Sequence, residues 1–154
     1  VNFNKYKPVE LSNKSEYTIL ALLELAIAYS KGEPLQIREI ANLQNIPNRY
    51  LEQILATLRR GGIIKSIRGA KGGYVLAREP NKINLLDALK CIEGVDAVVS
   101  NFQPTSKSIE GDIIQEVWTE AIEAANSVLQ KYTLQDLCEL RAKRAGEQLL
   151  MYYI

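Results

Sequence analysis

Three side chains able to read hydrogen-bond patterns stand close together in the stretch IPNRYLEQILATLRR (46–60): Arg49, Glu52 and Gln53. Their spacing of three and four residues places them on one face of a helix. An arginine can pair bidentately with guanine and a glutamine with adenine, and a carboxylate can accept from the amino group of cytosine. Phosphates repel an acid, so Glu52 within a basic surface points to base readout. On this element alone, a plain solvated helix face explains Glu52 and Gln53 equally well. The segment IRGAKGGY (67–74) shifts the balance. It sets Arg68 and Lys71 on a turn with Gly69, Gly72 and Gly73. Glycine lets backbone approach a ligand closely, and arginine suits a narrow minor groove. The turn is not a P-loop, because it lacks the GK[ST] ending and no helix opens after it. Helix, turn and local charge together favour double-stranded DNA as the partner.

Covalent and metal chemistry find little support. The chain of 154 residues has no histidine and two cysteines, Cys91 and Cys138, far apart in sequence. Histidine-based nucleophilic mechanisms are excluded. No CxxC pair marks a metal site, and no nucleophile, base and orienting group form a catalytic constellation. No metal site and no enzyme activity are expected.

The net charge of +1 hides a division. Between Pro47 and Tyr74, six basic residues (Arg49, Arg59, Arg60, Lys65, Arg68, Lys71) face one acid, a net of +5. Between Glu79 and Leu140, four basic residues face eleven acids, a net of −7. A basic patch attracts phosphates and an acidic remainder turns away from them. No apolar run reaches the ~20 residues needed to span a bilayer, and the N-terminus has no apolar core of signal-peptide type. A cytoplasmic protein without a membrane partner is expected.

The elements that position these residues follow from periodicity and caps. Residues 1–11 read as a polar arm, whose Lys5 and Lys7 could touch a phosphate backbone. A helix is expected over 13–30, opened by an Asn13/Glu16 capping box, with Leu20, Leu23 and Ile27 on one apolar face and Ile19, Leu22 and Ala26 on a neighbouring one. A second covers 37–44, its core stripe made by Ile37, Ile40, Ala41 and, on the flank, Leu43. Asn45-Ile46-Pro47 turns the chain into a third helix, 48–60, with Leu51, Ile54, Leu55 and Leu58 inward. That pair is a helix-turn-helix. Gly61 or Gly62 closes it in a left-handed cap. Strands over 63–68 and 74–76 form a wing, and Asn84 caps a helix over 85–92. Residues 98–111 read as a linker. A long amphipathic helix follows at 112–132, roughly 30 Å in length, with Ile114, Val117, Trp118, Ala121, Ile122, Ala125, Val128 and Leu129 in helical register. A stripe that long normally meets a second copy or another chain. Thr133 and Asp136 cap a last helix over 134–144, and the terminal MYYI has the character of a segment that docks.

The fold class is therefore mainly α with a small β-hairpin. An N-terminal winged helix-turn-helix domain spans 1–96, a linker loop 97–111, and a helical dimerisation and regulatory region 112–154. The DNA-binding set comprises Lys14, Asn48, Arg49, Tyr50, Glu52, Gln53, Arg59, Arg60, Lys65, Arg68, Gly69, Lys71, Gly72 and Gly73.

Three segments resemble one family: LSNKSEYTILALLELA (11–26), IREIANLQNIPNRYLEQILATLRRGGIIKSIRGAKGGYVLAREP (37–80) and INLLDALKCIEG (83–94). The chain looks like an IscR/CymR/NsrR-type bacterial winged-helix transcription regulator. The resemblance implies a homodimer on a pseudo-palindromic operator, acting as a repressor. It implies that helix 48–60 lies in the major groove with Glu52 and Gln53 facing bases. Arg68 and Gly69 would lie against the minor groove, and helix 112–132 would cross its partner. Family members that sense through an iron–sulfur cluster carry three closely spaced cysteines in the loop corresponding to 98–111, and this loop has none. No cofactor is expected, and the switch would be a protein partner, a small molecule or thiol chemistry. Asn48-Arg49 also replaces smaller residues at the start of the recognition helix, so the target sequence does not carry over. Two alternatives stay open from the residues: a protein-interaction module of the same fold, and a cluster-sensing regulator that uses Cys91 or Cys138.

Overall fold

The computed structural model describes residues 11–94 and 107–153, and the arm at 1–10, most of the predicted linker and Ile154 lie outside them. Six helices and one hairpin follow in the order α1 (Asn13–Lys31), α2 (Ile37–Gln44), α3 (Asn48–Arg60), β1 (Ile64–Ile67), β2 (Gly73–Leu76), a short 3-10 turn at Pro80–Lys82, α4 (Leu85–Glu93), α5 (Ile109–Lys131) and α6 (Leu134–Tyr153). This is the mainly helical winged-helix class expected.

The helix-turn-helix is set by its caps. Gly32 ends α1 in the left-handed region at φ 68°, and the next N–H, of Glu33, donates back to the Ala28 carbonyl at 3.3 Å. Asn45 ends α2 at φ 52°, the one non-glycine residue with positive φ among those described, a conformation asparagine tolerates better than most side chains. Ile46 then donates to the Ala41 carbonyl at 3.0 Å and buries its side chain. Pro47 leads straight into α3.

A single core runs through the molecule. Leu22, Leu25, Ile40, Leu51, Ile54, Leu55, Leu58, Ile64, Ile83 and Leu134 lie in it, almost wholly buried. Leu134 comes from the start of α6, so the C-terminal helices are rooted beside the helix-turn-helix. Two backbone bonds clip the root in place: Leu85 N–H to the Tyr132 carbonyl and Leu134 N–H to the Ile83 carbonyl, both 2.9 Å. Thr133 and Asp136 cap each other reciprocally, and Asn84 accepts from the Asp87 N–H, both as the sequence indicates.

Several expectations are corrected. The cap of α1 is Ser12, one residue before Asn13. Its Oγ accepts from the Ser15 N–H at 3.1 Å and donates to Glu93 Oε1 at 2.6 Å, so the start of α1 is tied to the end of α4. Within α1, Leu22, Leu25 and Ala21 take the deepest places, whereas Leu23 and Ile27 are half-buried. Leu43 is 59% exposed and leaves the stripe of α2. Helix α3 ends at Gly61 in a right-handed conformation, and the left-handed residue is Gly62 at φ 74°. The first strand is shorter than expected at both ends, and the second begins one residue earlier, at Gly73. Helix α5 starts earlier, because Ser108 accepts from the Gly111 N–H at 3.2 Å and Gly111 becomes a buried helical residue. Helix α6 continues past Arg144 to Tyr153. Met151, Tyr152 and Tyr153 are about four-fifths exposed (78%, 86% and 82%), so they do not dock on their own chain.

Candidate nucleic-acid interface

Helix α3 is anchored on one side by Leu51, Ile54, Leu55 and Leu58, each no more than 1% exposed. That anchoring fixes the rotation of the helix and leaves Asn48, Arg49, Tyr50, Glu52 and Gln53 in solvent. The side chains of Arg49, Glu52 and Gln53 have no ion-pair or hydrogen-bond partner among the described residues. Nothing among the described residues explains these polar groups. Tyr50 is steadied from behind by Tyr17 of α1, with ring centroids 6.2 Å apart and planes tilted by 53°. Lys14 lies exposed one turn before Tyr17. Sequence patterning gave Tyr17 no role, because a tyrosine on an apolar helix reads simply as core.

Arg59 and Arg60 belong to a different place. They occupy the last turn of α3, roughly 18 Å along the axis from Asn48. There they oppose the negative end of the helix dipole. Arg60 donates to Thr57 Oγ1 at 3.3 Å, so it has an intramolecular employment that Arg49 lacks.

The wing is an antiparallel pair in the register Ile64↔Leu76, Lys65↔Val75, Ser66↔Tyr74 and Ile67↔Gly73. Ile64 and Leu76 point into the core, and Lys65, Arg68 and Lys71 are exposed. Each glycine has an internal reason. Gly69 adopts φ 112°. A Cβ on Gly72 would meet the Ile67 carbonyl oxygen at 2.1 Å, and one on Gly73 would meet that of Leu35 at 2.5 Å. Gly73 is tight because the wing is stitched to the segment before α2: Leu35 N–H donates to the Tyr74 carbonyl at 3.0 Å, and Tyr74 N–H to the Leu35 carbonyl at 2.7 Å. The glycines thus shape and seat the wing, and its exposed charge comes from the arginine and lysines. Arg38, outside the basic window read from the sequence, lies on the α2 side of the cleft beneath this wing.

Helix α5 leaves half of its predicted stripe uncovered. Ile114, Val117 and Val128 are 50%, 62% and 55% exposed. Ala121 is exposed, and Trp118, Ile122 and Ala125 are half-buried. Leu129 packs on the chain's own core. Isoleucine and valine at that exposure along a 23-residue helix form an apolar face that water does not stabilise.

Cys91 and Cys138 are free thiols. Burial pushes Cys91 above its ordinary pKa, against the nearby Arg60 charge, and burial likewise raises Cys138, with Arg141 opposing and Glu139 and Glu24 adding. Cys91 Sγ lies 3.6 Å from the Thr57 carbonyl oxygen, behind the C-terminal turn of α3.

Comparisons with known proteins place these features in context. A sequence model of the Rrf2 family, described as an iron-dependent transcriptional regulator, matches residues 11–140. The transcriptional regulator CymR of Bacillus subtilis (strain 168) is 35% identical over 147 residues, covering 95% of this chain and 100% of that protein. The solved structure of CymR (YrzC), the global cysteine regulator of B. subtilis, aligns with a TM-score of 0.73 at 33% identity, covering 86% of this chain and 98% of that one. The structure of T. potens IscR aligns with a TM-score of 0.71 at 33% identity, covering 85% and 87%. These relatives are transcriptional regulators and not enzymes. The iron in the family's description meets a poor donor set here. Among the described residues no group of three or more His, Cys, Asp or Glu could hold a metal ion. The segment outside them contributes neither cysteine nor histidine, and burial favours the protonated form of both thiols.

Proposed function

The chain belongs to the Rrf2 family of transcriptional regulators, and from that premise we propose that it is a homodimeric repressor that reads a pseudo-palindromic DNA operator without an iron–sulfur cluster. Helix α3 enters the major groove, with Arg49, Glu52 and Gln53 against base edges and Asn48 and Tyr50 beside them. The wing lies along the minor groove, with Arg68, Gly69 and Lys71 at its tip and Lys65 on its flank. Lys14 meets the backbone from α1. Two copies pair through the exposed stripe of α5, and their two-fold axis imposes the palindrome on the operator. No helix of the described residues is long and apolar enough to cross a membrane, which accords with work on DNA in the cytoplasm. A protein or small molecule acts as effector.

The single observation that carries this reading is the unpartnered Arg49–Glu52–Gln53 face on a helix whose opposite face is fully buried. In vitro selection from a random duplex pool, followed by competition binding, tests it. Because the full-length relative is named as a global cysteine regulator, promoters of cysteine-supply genes are the first natural duplexes to try. Glu52→Ala is expected to relax preference at one base pair per half-site by about 1–3 kcal/mol, while non-specific affinity stays level or rises as a repelling acid is lost. Unchanged preference would remove Glu52 from base readout.

A further inference from the structure

We propose that the cleft between α2 and the wing seats a backbone phosphate of the bound duplex, with Arg38 as the cation that holds it. The inference rests on the DNA-binding reading above and adds a contact from outside the basic window 47–74.

The cleft has a volume of about 400 Å³. Gln36, Ile37 and Arg38 form one wall, and Ile67, Gly69, Gly72, Gly73 and Tyr74 the other. Three of the wing residues are glycines, so that wall is mostly backbone and leaves room for a sugar-phosphate chain to lie close. Arg38 is exposed and has no ion-pair or hydrogen-bond partner among the described residues. An arginine fork is suited to phosphate oxygens, and here no acceptor among the described residues competes for it.

The walls are held at a fixed separation. The paired bonds between Leu35 and Tyr74 join the wing to the residue three before Arg38, and the close approach of Gly73 to the Leu35 carbonyl leaves no slack. A site of constant width between two rigid elements is what a repeated, sequence-independent backbone contact requires. With Arg68 and Lys71 at the wing tip, Arg38 extends the basic surface from the wing onto α2.

The test uses the full chain and fluorescence anisotropy on two duplexes, the selected operator and an unrelated sequence, across about 50–200 mM salt. Arg38→Ala should weaken binding to both by the same factor. It should also reduce the slope of log affinity against log salt by about 0.9 per protomer, and Arg38→Lys should restore most of that slope. The thermal midpoint should not move, since Arg38 has no ion-pair or hydrogen-bond partner among the described residues. Wild-type binding with an unchanged slope in Arg38→Ala overturns the phosphate seat alone. A changed base preference also overturns it, because the residue would then read bases. Failure of the wild-type protein to bind any duplex at low salt overturns the DNA reading, and this contact with it.

Discussion

Gly61, at the end of the recognition helix, offers a prediction whose sign depends on a single sulfur atom. Its backbone, at φ −77° and ψ −1°, suits alanine. Replacing glycine at a compatible position stabilises by roughly 0.4–1 kcal/mol through the unfolded chain. A Cβ there, however, would stand 2.3 Å from Cys91 Sγ, whereas it would meet Cys91 Cβ at 3.7 Å and the Thr57 carbonyl oxygen at 3.5 Å. The last two are ordinary contacts. The first lies more than ~1 Å inside the roughly 3.5–4.0 Å optimum for non-bonded heavy atoms, and overpacking of that kind costs typically ~1–3 kcal/mol. Gly61→Ala should therefore destabilise the native protein by about 0.5–2 kcal/mol, the clash less the backbone gain. In a Cys91→Ala background only the gain remains, and the same change should stabilise. Thermal or urea unfolding of the four variants reads the cycle, and each 1 kcal/mol is worth about 2–4 °C at this chain length. A coupling of roughly 1–3 kcal/mol is expected. If Gly61→Ala has the same effect in both backgrounds, the sulfur is not what excludes a side chain there. The close packing of α4 behind α3 would then be wrong.

Two further perturbations separate the wing from the dimer. Gly73→Ala forces a Cβ against the Leu35 carbonyl at 2.5 Å and at φ 154°; it should break the stitch between wing and α2, costing more than ~2 kcal/mol and lowering DNA affinity severalfold, as melting and anisotropy would record, and full operator affinity would show that the wing needs no such seat. Val117→Glu adds a charge to a residue 62% exposed in the protomer, beside Glu116 and Glu120; sedimentation equilibrium should show a shift from dimer to monomer with the protomer's melting curve intact, and an unmoved dimer would relocate the interface away from α5.

The DNA-reading half was legible because its signals are local. Leu51, Ile54, Leu55 and Leu58 follow the helical repeat, and the repeat dictates which face is buried and hence which side chains are left outside. The signals at Gly62, Gly69 and Gly73 are stereochemical, since few residues other than glycine suit positive φ. The errors fell where local signals mislead. Gly111 reads as a breaker, yet it is buried inside α5 because Ser108 supplies the cap. Gly146 lies within α6 with nothing within 4 Å of where a side chain would be, so no contact forces the helix to stop near it. Leu43 matches the stripe of α2 in spacing but falls beyond the edge of what α1 and α3 cover. Arg38 was invisible for another reason: its neighbours in the cleft are some thirty residues away in sequence, and only the Leu35–Tyr74 pairing brings them together.

The switch is the part that periodicity cannot encode, yet the packing narrows where a signal must travel. Helix α5 rests on α4, α6 rests on α1, and both α1 and α4 touch α3. Helices α1 and α4 therefore each connect the helical half to α3. Both are core helices: Leu22, Leu25, Ala21 and Thr18 of α1 and Ala88 and Leu89 of α4 are almost wholly buried. Helix α4 is joined at both ends: the Leu85–Tyr132 bond fastens its start to the α5–α6 junction, and Glu93 at its end accepts from Ser12 and Ser15. Between these fixed points Cys91 bears on Thr57 and Gly61, where the last turn of α3 meets the first strand of the wing. Helix α4 is thus the element that meets the C-terminal turn of α3 directly, and any change of that contact must also move its own buried residues Ala88, Leu89 and Ile92.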